Sequence, residues 1–264
     1  MNLAGDSPPH VELLSWDTSF WGIKAAKLWA GTTVELEQGL VECRTLGVRW
    51  ASLLVPVANT QLVDSAIRAG FQMVDVRIKM FATVGRRNDE STTPPLIEAG
   101  ELRQAQALVE GAFGASRFYV DAHLDRARCD DFYRTWVLNS FSGELADAIV
   151  ASRHEGALDG FVTVRRHDVR MASLPLVAVR SDRRGVGVGA RLLRETLAWL
   201  GADGPTTVSV ITQLVNVAAI RLYESAGFSI GESGVWLHRW LEADEPGSAS
   251  TCPTDLKNND VVCP

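Results

Sequence analysis

The sequence predicts an α/β protein with a mixed central sheet flanked by helices. Short apolar runs alternate with segments of helical spacing along most of the 264 residues. A glycine-rich turn at 184–190 separates a strand pattern from a helix pattern, and a polar, proline-ended stretch at 85–95 divides the chain. We therefore expect a smaller α/β lobe at 1–84, a linker at 85–95, a larger domain at 96–241 and a disordered tail at 242–264.

The smaller lobe is predicted to contain five secondary-structure elements. Apolar and β-branched runs indicate strands at 24–30, 50–55 and 72–84. Helical spacing of apolar residues indicates helices at 34–46 and 61–69. Strands and helices therefore alternate through this lobe.

The larger domain is predicted to begin with two helices and to continue with strands. Helical spacing indicates helices at 96–113 and 131–141. Apolar runs indicate strands at 146–152, 160–167 and 171–179. The last of these strands leads into the glycine-rich turn.

The glycine-rich turn joins the strand at 171–179 to a helix predicted at 190–201. The first amides of a helix have no partners inside the helix, and the helix dipole is positive there, so a phosphate group binds well. Glycine lets a ligand approach the main chain closely, and nearby arginines supply positive charge. The turn consists of Arg184, Gly185, Val186, Gly187, Val188, Gly189 and Ala190, and the flanking arginines are Arg183, Arg191 and Arg194. We expect it to bind a pyrophosphate.

Two kinds of phosphate site fit this turn, because Gly185, Gly187 and Ala190 also satisfy the dinucleotide pattern G-x-G-x-x-A. In a dinucleotide-binding domain the pattern follows the first strand, and further strand-helix units come after it. Only 74 residues follow Ala190. The position of the turn therefore argues against a nicotinamide cofactor.

Asn216 and Tyr223 follow the turn at a strand-to-helix junction and on a helix. An asparagine at such a junction commonly caps the helix, and a tyrosine beside leucine and alanine is commonly a core residue. Both also suit one reaction, because attack of an amine on a thioester expels a thiolate that a tyrosine hydroxyl can protonate. The order of turn, asparagine and tyrosine favours this reaction over separate structural roles.

The strand end at 177–179 and the pattern R-x-x-G-x-G that starts at Arg184 resemble motif A of the GNAT acyl-CoA N-acyltransferases. The run from Asn216 to Phe228 resembles their second signature. This resemblance implies a GNAT-type central sheet. It also implies acetyl-CoA, or another short acyl-CoA, as the cofactor.

The same resemblance implies a role for each matched residue. The main chain of Val177 and Val179 would pair with pantetheine, and the amides of 184–190 would hold the pyrophosphate. Asn216 would bind the cofactor arm, and Tyr223 would protonate the departing thiolate. A main-chain N–H near Val179 is then the natural donor to the oxyanion, if the strand splays from its neighbour.

A wider resemblance concerns the acceptor. Segments 14–23, 116–118, 132–139 and 236–239 are similar to segments of the dTDP-fucosamine acetyltransferases. This resemblance implies that the acceptor is a nucleotide-linked amino sugar, specifically a dTDP-linked 4-amino-4,6-dideoxy sugar. It also implies a homodimer.

The acceptor is predicted to bind where aromatic and polar residues cluster in the sequence. Arg117 suits a diphosphate because its guanidinium group binds two oxygens at once. An amphipathic helix would also turn such aromatic residues into the core, which is the commoner role. The candidates for acceptor binding are Arg117, Phe118, Tyr119, Trp136, Asn139, Trp16 and Trp21.

No general base is identified by a motif. His123, Asp121 and Glu144 are candidates, and a chain of water molecules could serve instead. The amine is expected to attack the thioester directly, without an acyl-enzyme.

Two other functions fit the sequence. The same fold could acetylate an aminoglycoside, a polyamine or a protein N-terminus, or the chain could be a non-catalytic acyl-CoA sensor. Tyr223 and Asn216 argue against the sensor. The aromatic region from Ser116 to Asn139 favours a nucleotide sugar over the other amines.

Composition limits the partners. A net charge of −6 argues against nucleic-acid binding. The sequence shows no membrane span and no secretory signal, so we expect a cytoplasmic enzyme. No metal site is predicted, because the four cysteines, Cys43, Cys129, Cys252 and Cys263, lack the spacing of metal ligands.

An internal similarity links the two parts of the chain. Asn59 precedes Gly70 by eleven residues, and Asn216 precedes Gly227 by the same interval. Each asparagine follows an apolar strand and precedes a helix and a final strand, so the first lobe is predicted to be a degenerate half-GNAT repeat that extends or adjoins the main sheet. The position equivalent to Tyr223 is Ala66, so this lobe should neither bind the cofactor nor catalyse.

Overall fold

A computed structural model describes residues 10–85, 93–202 and 206–242. Most of the predicted linker at 85–95 and nearly all of the predicted tail at 242–264 lie outside these ranges.

The described residues form one mixed sheet with helices packed against it, and this confirms the predicted α/β class. The strands are β1 (Val11–Leu13), β2 (Ala25–Leu28), β3 (Trp50–Pro56), β4 (Gln72–Val84), β5 (Ala148–His154), β6 (Ala157–Asp168), β7 (Met171–Leu174), β8 (Val177–Val179), β9 (Thr206–Gln213) and β10 (Ser229–Trp240). The helices are α1 (Ser15–Trp21), α2 (Thr33–Thr45), α3 (Thr60–Arg68), α4 (Leu102–Val109), α5 (Arg117–Val120), α6 (Arg126–Phe141), α7 (Val188–Leu200) and α8 (Val217–Ser225).

Three predicted elements differ clearly from the structure. The helix predicted at 131–141 begins five residues earlier, at Arg126. The helix predicted at 96–113 is too long, because Leu96 forms a bridge with Val150 and the chain leaves the helix after Val109. Pro175 divides the predicted strand at 171–179 into β7 and β8. Proline has no N–H to donate to a neighbouring strand, so strand pairing breaks at this point.

The sheet has the order β1-β2-β3-β10-β4-β9-β7-β6-β5, and β8 pairs with β6 beside this path. The last strand of each half therefore pairs only with strands of the other half. β10 lies between β3 and β4 of the first lobe, whereas β4 lies between β10 and β9. The first lobe extends the main sheet by interleaving with it.

The pairing register supports the predicted half-repeat. Pro56 pairs with Gly234, and the residues 157 positions away, Gln213 and Arg77, pair in the same way. The two copies of the helix are α3 and α8, and both have an asparagine at the N-cap. β3, α3 and β4 are thus related to β9, α8 and β10 by a pseudo-twofold axis between β4 and β10.

Helices cover both faces of the sheet. The first lobe packs α2 and α3 on β3 and β10, while α7 and α8 pack on β4, β7 and β9. Neighbouring strand residues such as Val150 and Ala151 belong to different core clusters, because successive side chains of a strand point to opposite faces. Ala151 faces the cluster that contains α4 and α6.

Candidate active site

The strands β8 and β9 diverge at the candidate site. β7 pairs with β9 as far as Leu174, whereas β8 pairs with β6 alone. The Leu176 carbonyl and the Arg180 amide bond to β6, each at 2.9 Å. Because bonding directions alternate along a strand, the main-chain groups of Val177 and Val179 point away from β6 into the opening.

The glycine-rich turn lies at the opening, before α7. Gly185 and Gly187 have φ angles of 76° and 91°, which side-chain-bearing residues rarely adopt, and no heavy atom lies within 4 Å of a Cβ built at either position. α7 starts without a side-chain cap, so its first amides are left for a ligand. At Gly189, a Cβ would lie 3.0 Å from the Leu222 side chain, so this glycine allows α7 and α8 to pack closely.

The larger side chains of the turn differ in their position. Val186 is exposed and Val188 is buried in the core, and neither lines the cavity, whereas Arg184 does. The Arg184 Nε donates to the Val179 carbonyl at 3.1 Å. Positive charge therefore lies beside the end of β8.

A buried carboxylate lies near two of the arginines that flank the glycine-rich turn. Asp159 is an extra residue in β6, at a bulge opposite Ser152 and Arg153, and its side chain is fully buried. Its Oδ2 lies 3.9 Å from the guanidinium groups of both Arg183 and Arg191. Asp159 therefore compensates part of the positive charge of these two arginines.

Asn216 caps α8, as the commoner interpretation of this residue predicts. Its Oδ1 accepts from the Ala219 amide at 3.2 Å. The equivalent Asn59 caps α3 and also donates its Nδ2 to the Gly31 carbonyl at 2.9 Å. In the described part of the chain the Asn216 Nδ2 has no such partner, and Asn216 lines the cavity.

Tyr223 lies on α8 with its ring against Phe228, and it is only 5% exposed. Burial raises the pKa of its hydroxyl above the usual value. Tyr223 also lines the cavity that the turn and Asn216 border. The hydroxyl therefore keeps its proton at neutral pH and can donate it.

One cavity of about 1220 Å³ joins the glycine-rich turn to a second, charged and aromatic end. The turn end contains the opening between β8 and β9. The far end is formed by α1, α5, α6 and the middle of β4 and β10. The cavity therefore has room for two molecules, and Tyr223 is one of its lining residues.

Residues 106–228 match the model of the acetyltransferase (GNAT) family. These residues form a GNAT acetyltransferase domain.

Relatives agree with this GNAT domain and extend beyond it. The chain is 26% identical over 232 residues to the dTDP-fucosamine acetyltransferase of Escherichia coli O6:H1, covering 87% of this chain and 97% of that protein. It is 34% identical over 153 residues to the spore coat polysaccharide biosynthesis protein SpsD of Bacillus subtilis, covering 56% of this chain and 52% of that protein.

Solved structures agree in fold. A GCN5-related N-acetyltransferase from Sphaerobacter thermophilus superposes with a TM-score of 0.58 at 15% identity, covering 87% of this chain and 76% of that one. A tandem GNAT protein of clavulanic acid biosynthesis superposes with a TM-score of 0.51 at 12% identity, covering 83% of this chain and 76% of that one. The family match and the names of these relatives support an acyl-CoA-dependent N-acetyltransferase over a non-catalytic sensor.

Five of the seven predicted acceptor residues lie at the far end of the cavity of this GNAT enzyme. Four of them come from α5 and α6, and Trp16 comes from α1. Trp16 is 42% exposed and stacks on Phe20 with ring centroids 5.2 Å apart. The five are Arg117, Phe118, Trp136, Asn139 and Trp16.

Two predicted acceptor residues lie elsewhere. Trp21 packs in the aromatic core, stacked on Phe118 and Phe132. The Tyr119 hydroxyl donates to Asp130, and its ring stacks on Tyr133. Neither lines the cavity, because the short helices α1 and α5 direct these side chains into the core.

Three residues of the sheet that line the cavity were not predicted from the sequence. Asp75 and Arg77 are on β4 and Trp236 is on β10, and all three line the cavity. Charged side chains at alternate positions of a strand are typical of a solvent-exposed face, so the pattern of Asp75 and Arg77 did not indicate a site. For Asp75 and Arg77, the available signal was their position in the long strand predicted at 72–84.

Asp75 is half-buried, and its environment changes its acidity. Burial raises the pKa of its carboxyl to about 6, although a hydrogen bond with Gln213 and the charges of Arg117 and Arg77 oppose this. A carboxylate with this pKa can accept a proton near neutral pH. Asp17, on α1, also lines the cavity, and burial raises its pKa against the effect of Arg117.

The three general-base candidates from the sequence are less suitable. Burial alone would raise the pKa of Asp121, but hydrogen bonds from His238, the His123 amide and Trp240 hold it well below its usual range. His123 does not line the cavity. Glu144 lies exposed at its edge.

In the part of the chain that the structure describes, no helix is long and apolar enough to cross a membrane.

Proposed function

We propose that this GNAT enzyme transfers an acetyl group from acetyl-CoA to the amine of a dTDP-linked 4-amino-4,6-dideoxy sugar. The observation that carries the proposal is the single cavity that joins the glycine-rich turn and Tyr223 to an end containing Arg117, Arg77 and Asp75. A relative that matches 87% of this chain is named a dTDP-fucosamine acetyltransferase, which supports the same acceptor.

The turn end suits acetyl-CoA. The open space above Gly185 and Gly187 and the uncapped amides of α7 form a cradle for a pyrophosphate. The outward-facing main chain of Val177 and Val179 can pair with the pantetheine amides, and the Asn216 Nδ2 can bond to the same arm. When bound, acetyl-CoA supplies the acetyl group as a thioester.

Two residues transfer protons in opposite directions: Asp75 accepts one and Tyr223 donates one. Asp75 accepts the proton that the attacking amine loses. Tyr223 would hold its proton ready for the sulfur of the departing thiol, and the N–H of Val179 would stabilise negative charge on the acetyl oxygen. Solvent then returns the proton to Tyr223 and removes the one on Asp75.

The buried thiols support direct attack without an acyl-enzyme. Burial raises the pKa of Cys43 to about 12 and that of Cys129 to about 11. A thiol is nucleophilic as the thiolate, and almost none forms at neutral pH with such values. Neither cysteine lines the cavity.

The far end suits an acceptor that carries both phosphate and amine groups. Arg117 and Arg77 provide positive charge for phosphate oxygens, and Asp75 and Asp17 provide negative charge for an amine. Trp16 and Trp136 offer ring faces for a base or a sugar. A nucleotide-linked amino sugar combines all of these groups.

The proposal can be tested by incubating the enzyme with acetyl-CoA and a panel of amines. The panel contains dTDP- and UDP-linked 4-amino-4,6-dideoxy sugars in both C4 configurations, an aminoglycoside, spermidine and a peptide with a free N-terminus. Release of CoA thiol and the product mass are measured. We expect kcat/KM to be highest for a dTDP-sugar, and a higher value for a non-nucleotide amine would refute the proposed acceptor.

A further inference from the structure

A buried chain of hydrogen bonds leads from the protein surface to the acceptor end of the cavity. His123, whose side chain is 46% exposed, contacts Asp121 through its Nδ1 at 3.0 Å. Asp121 Oδ2 lies 2.7 Å from His238 Nδ1. On the other side of the same ring, His238 Nε2 lies 3.2 Å from Arg117 Nη1, and Arg117 lines the cavity.

The partners of His238 permit one arrangement of its protons. Asp121 is ionised and can only accept, so His238 Nδ1 carries a proton and donates it. A guanidinium group can only donate, so His238 Nε2 accepts from Arg117. Burial and the Arg117 charge lower the pKa of His238 to about 4, although Asp121 opposes this. The ring is therefore neutral at physiological pH and has a fixed orientation.

Asp121 is itself fixed from several sides. It accepts from the Trp240 Nε1 at 3.0 Å and from the His123 amide at 3.0 Å. The rings of Trp50 and Trp240 are stacked, and the edge of Trp50 meets the His238 ring. Asp121 and His238 are almost completely buried and do not line the cavity, so neither can touch an acceptor.

Arg117 is the end of this chain and has capacity for a ligand. Its guanidinium group lies over the rings of Phe118 and Trp236, with centroids 4.5 and 4.2 Å away. Among the described residues no carboxylate lies within 4.0 Å of it, although five N–H groups need acceptors. The plane of the group is fixed by the two rings, and its rotation in that plane is fixed by His238.

We propose that Asp121 and His238 are positioning residues that hold Arg117 ready for the phosphate oxygens of the acceptor. The proposal rests on the function proposed above and deepens it, because it explains how the acceptor end selects a nucleoside diphosphate. A preorganised guanidinium group loses less entropy when it binds two oxygens.

The test measures binding of dTDP, UDP and inorganic pyrophosphate to the full chain by calorimetry. His238→Phe keeps a ring of similar size and removes both hydrogen bonds. We expect it to weaken dTDP binding about tenfold, because a hydrogen bond that orients a charged group is lost. Binding of CoA should not change, and the exposed His154→Phe serves as the control that leaves both affinities unchanged.

A double-mutant cycle separates positioning from general structural damage. Arg117→Met removes the anion-binding group, so adding His238→Phe to it should weaken dTDP binding no further. Asp121→Asn provides a second variant of nearly the same shape, and it should weaken dTDP binding in the same direction. The melting temperature of each variant is measured alongside.

Each result decides between the proposals. Equal dTDP affinity of the wild type, His238→Phe and Asp121→Asn would overturn the positioning role while leaving the proposed acceptor intact. Additive effects in the cycle would also overturn it. If the wild type binds none of the three phosphate compounds, both the positioning role and the proposed acceptor are wrong.

Discussion

Tyr223 and Asp75 are the two side chains for which we propose opposite proton transfers. Burial raises the pKa of both, but it keeps the phenol protonated and moves the carboxyl to about 6. One group can therefore give a proton at neutral pH while the other can take one. Both line the same cavity.

Removal of the Tyr223 hydroxyl should reduce turnover more than cofactor affinity. Tyr223→Phe keeps the ring that packs on Phe228, so we expect kcat to fall by about 10²- to 10⁴-fold with little change in the KM for acetyl-CoA. Steady-state kinetics measure both. Tyr119→Phe is the control, since Tyr119 bonds to Asp130 away from the cavity. Equal kcat in wild type and Tyr223→Phe would remove Tyr223 from its assigned role.

Asp75 should govern the acidic side of the pH profile. The carboxylate is the active form, so kcat/KM should fall as the pH drops through about 6. Asp75→Asn should lower kcat/KM at neutral pH and abolish this limb. The measurement is kcat/KM for the acceptor between pH 5 and 8. A limb that persists unchanged in Asp75→Asn would assign the titration to another group.

The candidate residues of the cofactor end are easier to locate in the sequence than those of the acceptor end. The GNAT signatures are contiguous, so they identify the turn, Asn216 and Tyr223 directly. The acceptor side is assembled from distant segments, and the separation of Trp16 from Trp21 depends on the direction in which a short helix presents each ring. Asp75 suits its proposed role because segments distant in sequence bury it. A local sequence pattern does not show such burial.

The turn before α7 depends on backbone conformation. Gly187 has a φ of 91° with open space around it, so in the free protein an added methyl group meets no neighbour and acts through strain. In the complex the same methyl group would also enter the space proposed for the pyrophosphate. We expect Gly187→Ala to distort the turn at a cost of about 1–2 kcal/mol and to weaken CoA binding about tenfold. Calorimetric titration with CoA measures this.

Gly100 provides the matched control for that substitution. It also has open space but an ordinary φ, and it lies far from the turn in sequence. Gly100→Ala should bind CoA as the wild type does. If Gly187→Ala also binds CoA normally, the turn is not the pyrophosphate site.

Helices and long strands could be predicted from the sequence, whereas interruptions could not. β4 matches its predicted bounds, and α3 and α8 follow their asparagine caps. The break at Pro175 creates the opening between β8 and β9, yet the apolar pattern continues through it. β1, α1 and α5 span too few residues for a period to be recognised.

The whole molecule combines a repeat predicted from the sequence with a strand exchange that the sequence did not predict. The spacing of Asn59 and Asn216 identifies equivalent segments, but it does not say which copy of a strand pairs with which neighbour. The predicted domain boundaries at 84 and 96 divide the chain but not the sheet. β10 belongs to the larger domain, yet both of its neighbours in the sheet, β3 and β4, belong to the first lobe.

This exchange predicts that the larger domain cannot fold alone. A fragment of residues 93–264 retains β10 but loses both strands that pair with it, and β9 loses its pairing with β4. Buried residues such as Val235 and Leu237 would be exposed. We expect the fragment to lack a cooperative urea transition, whereas the full chain should unfold in one transition seen equally by fluorescence and circular dichroism.

Co-expression with the missing part provides the control. Residues 1–92 supplied as a separate chain should restore β3 and β4 to the sheet, and with them the cooperative transition and the acetyltransferase activity. Because the two fragments together contain every residue, failure of the larger fragment alone can then be assigned to the missing strands. A cooperative transition in the isolated 93–264 fragment would instead show that the GNAT domain is an independent unit and that the interleaved sheet contributes little to its stability.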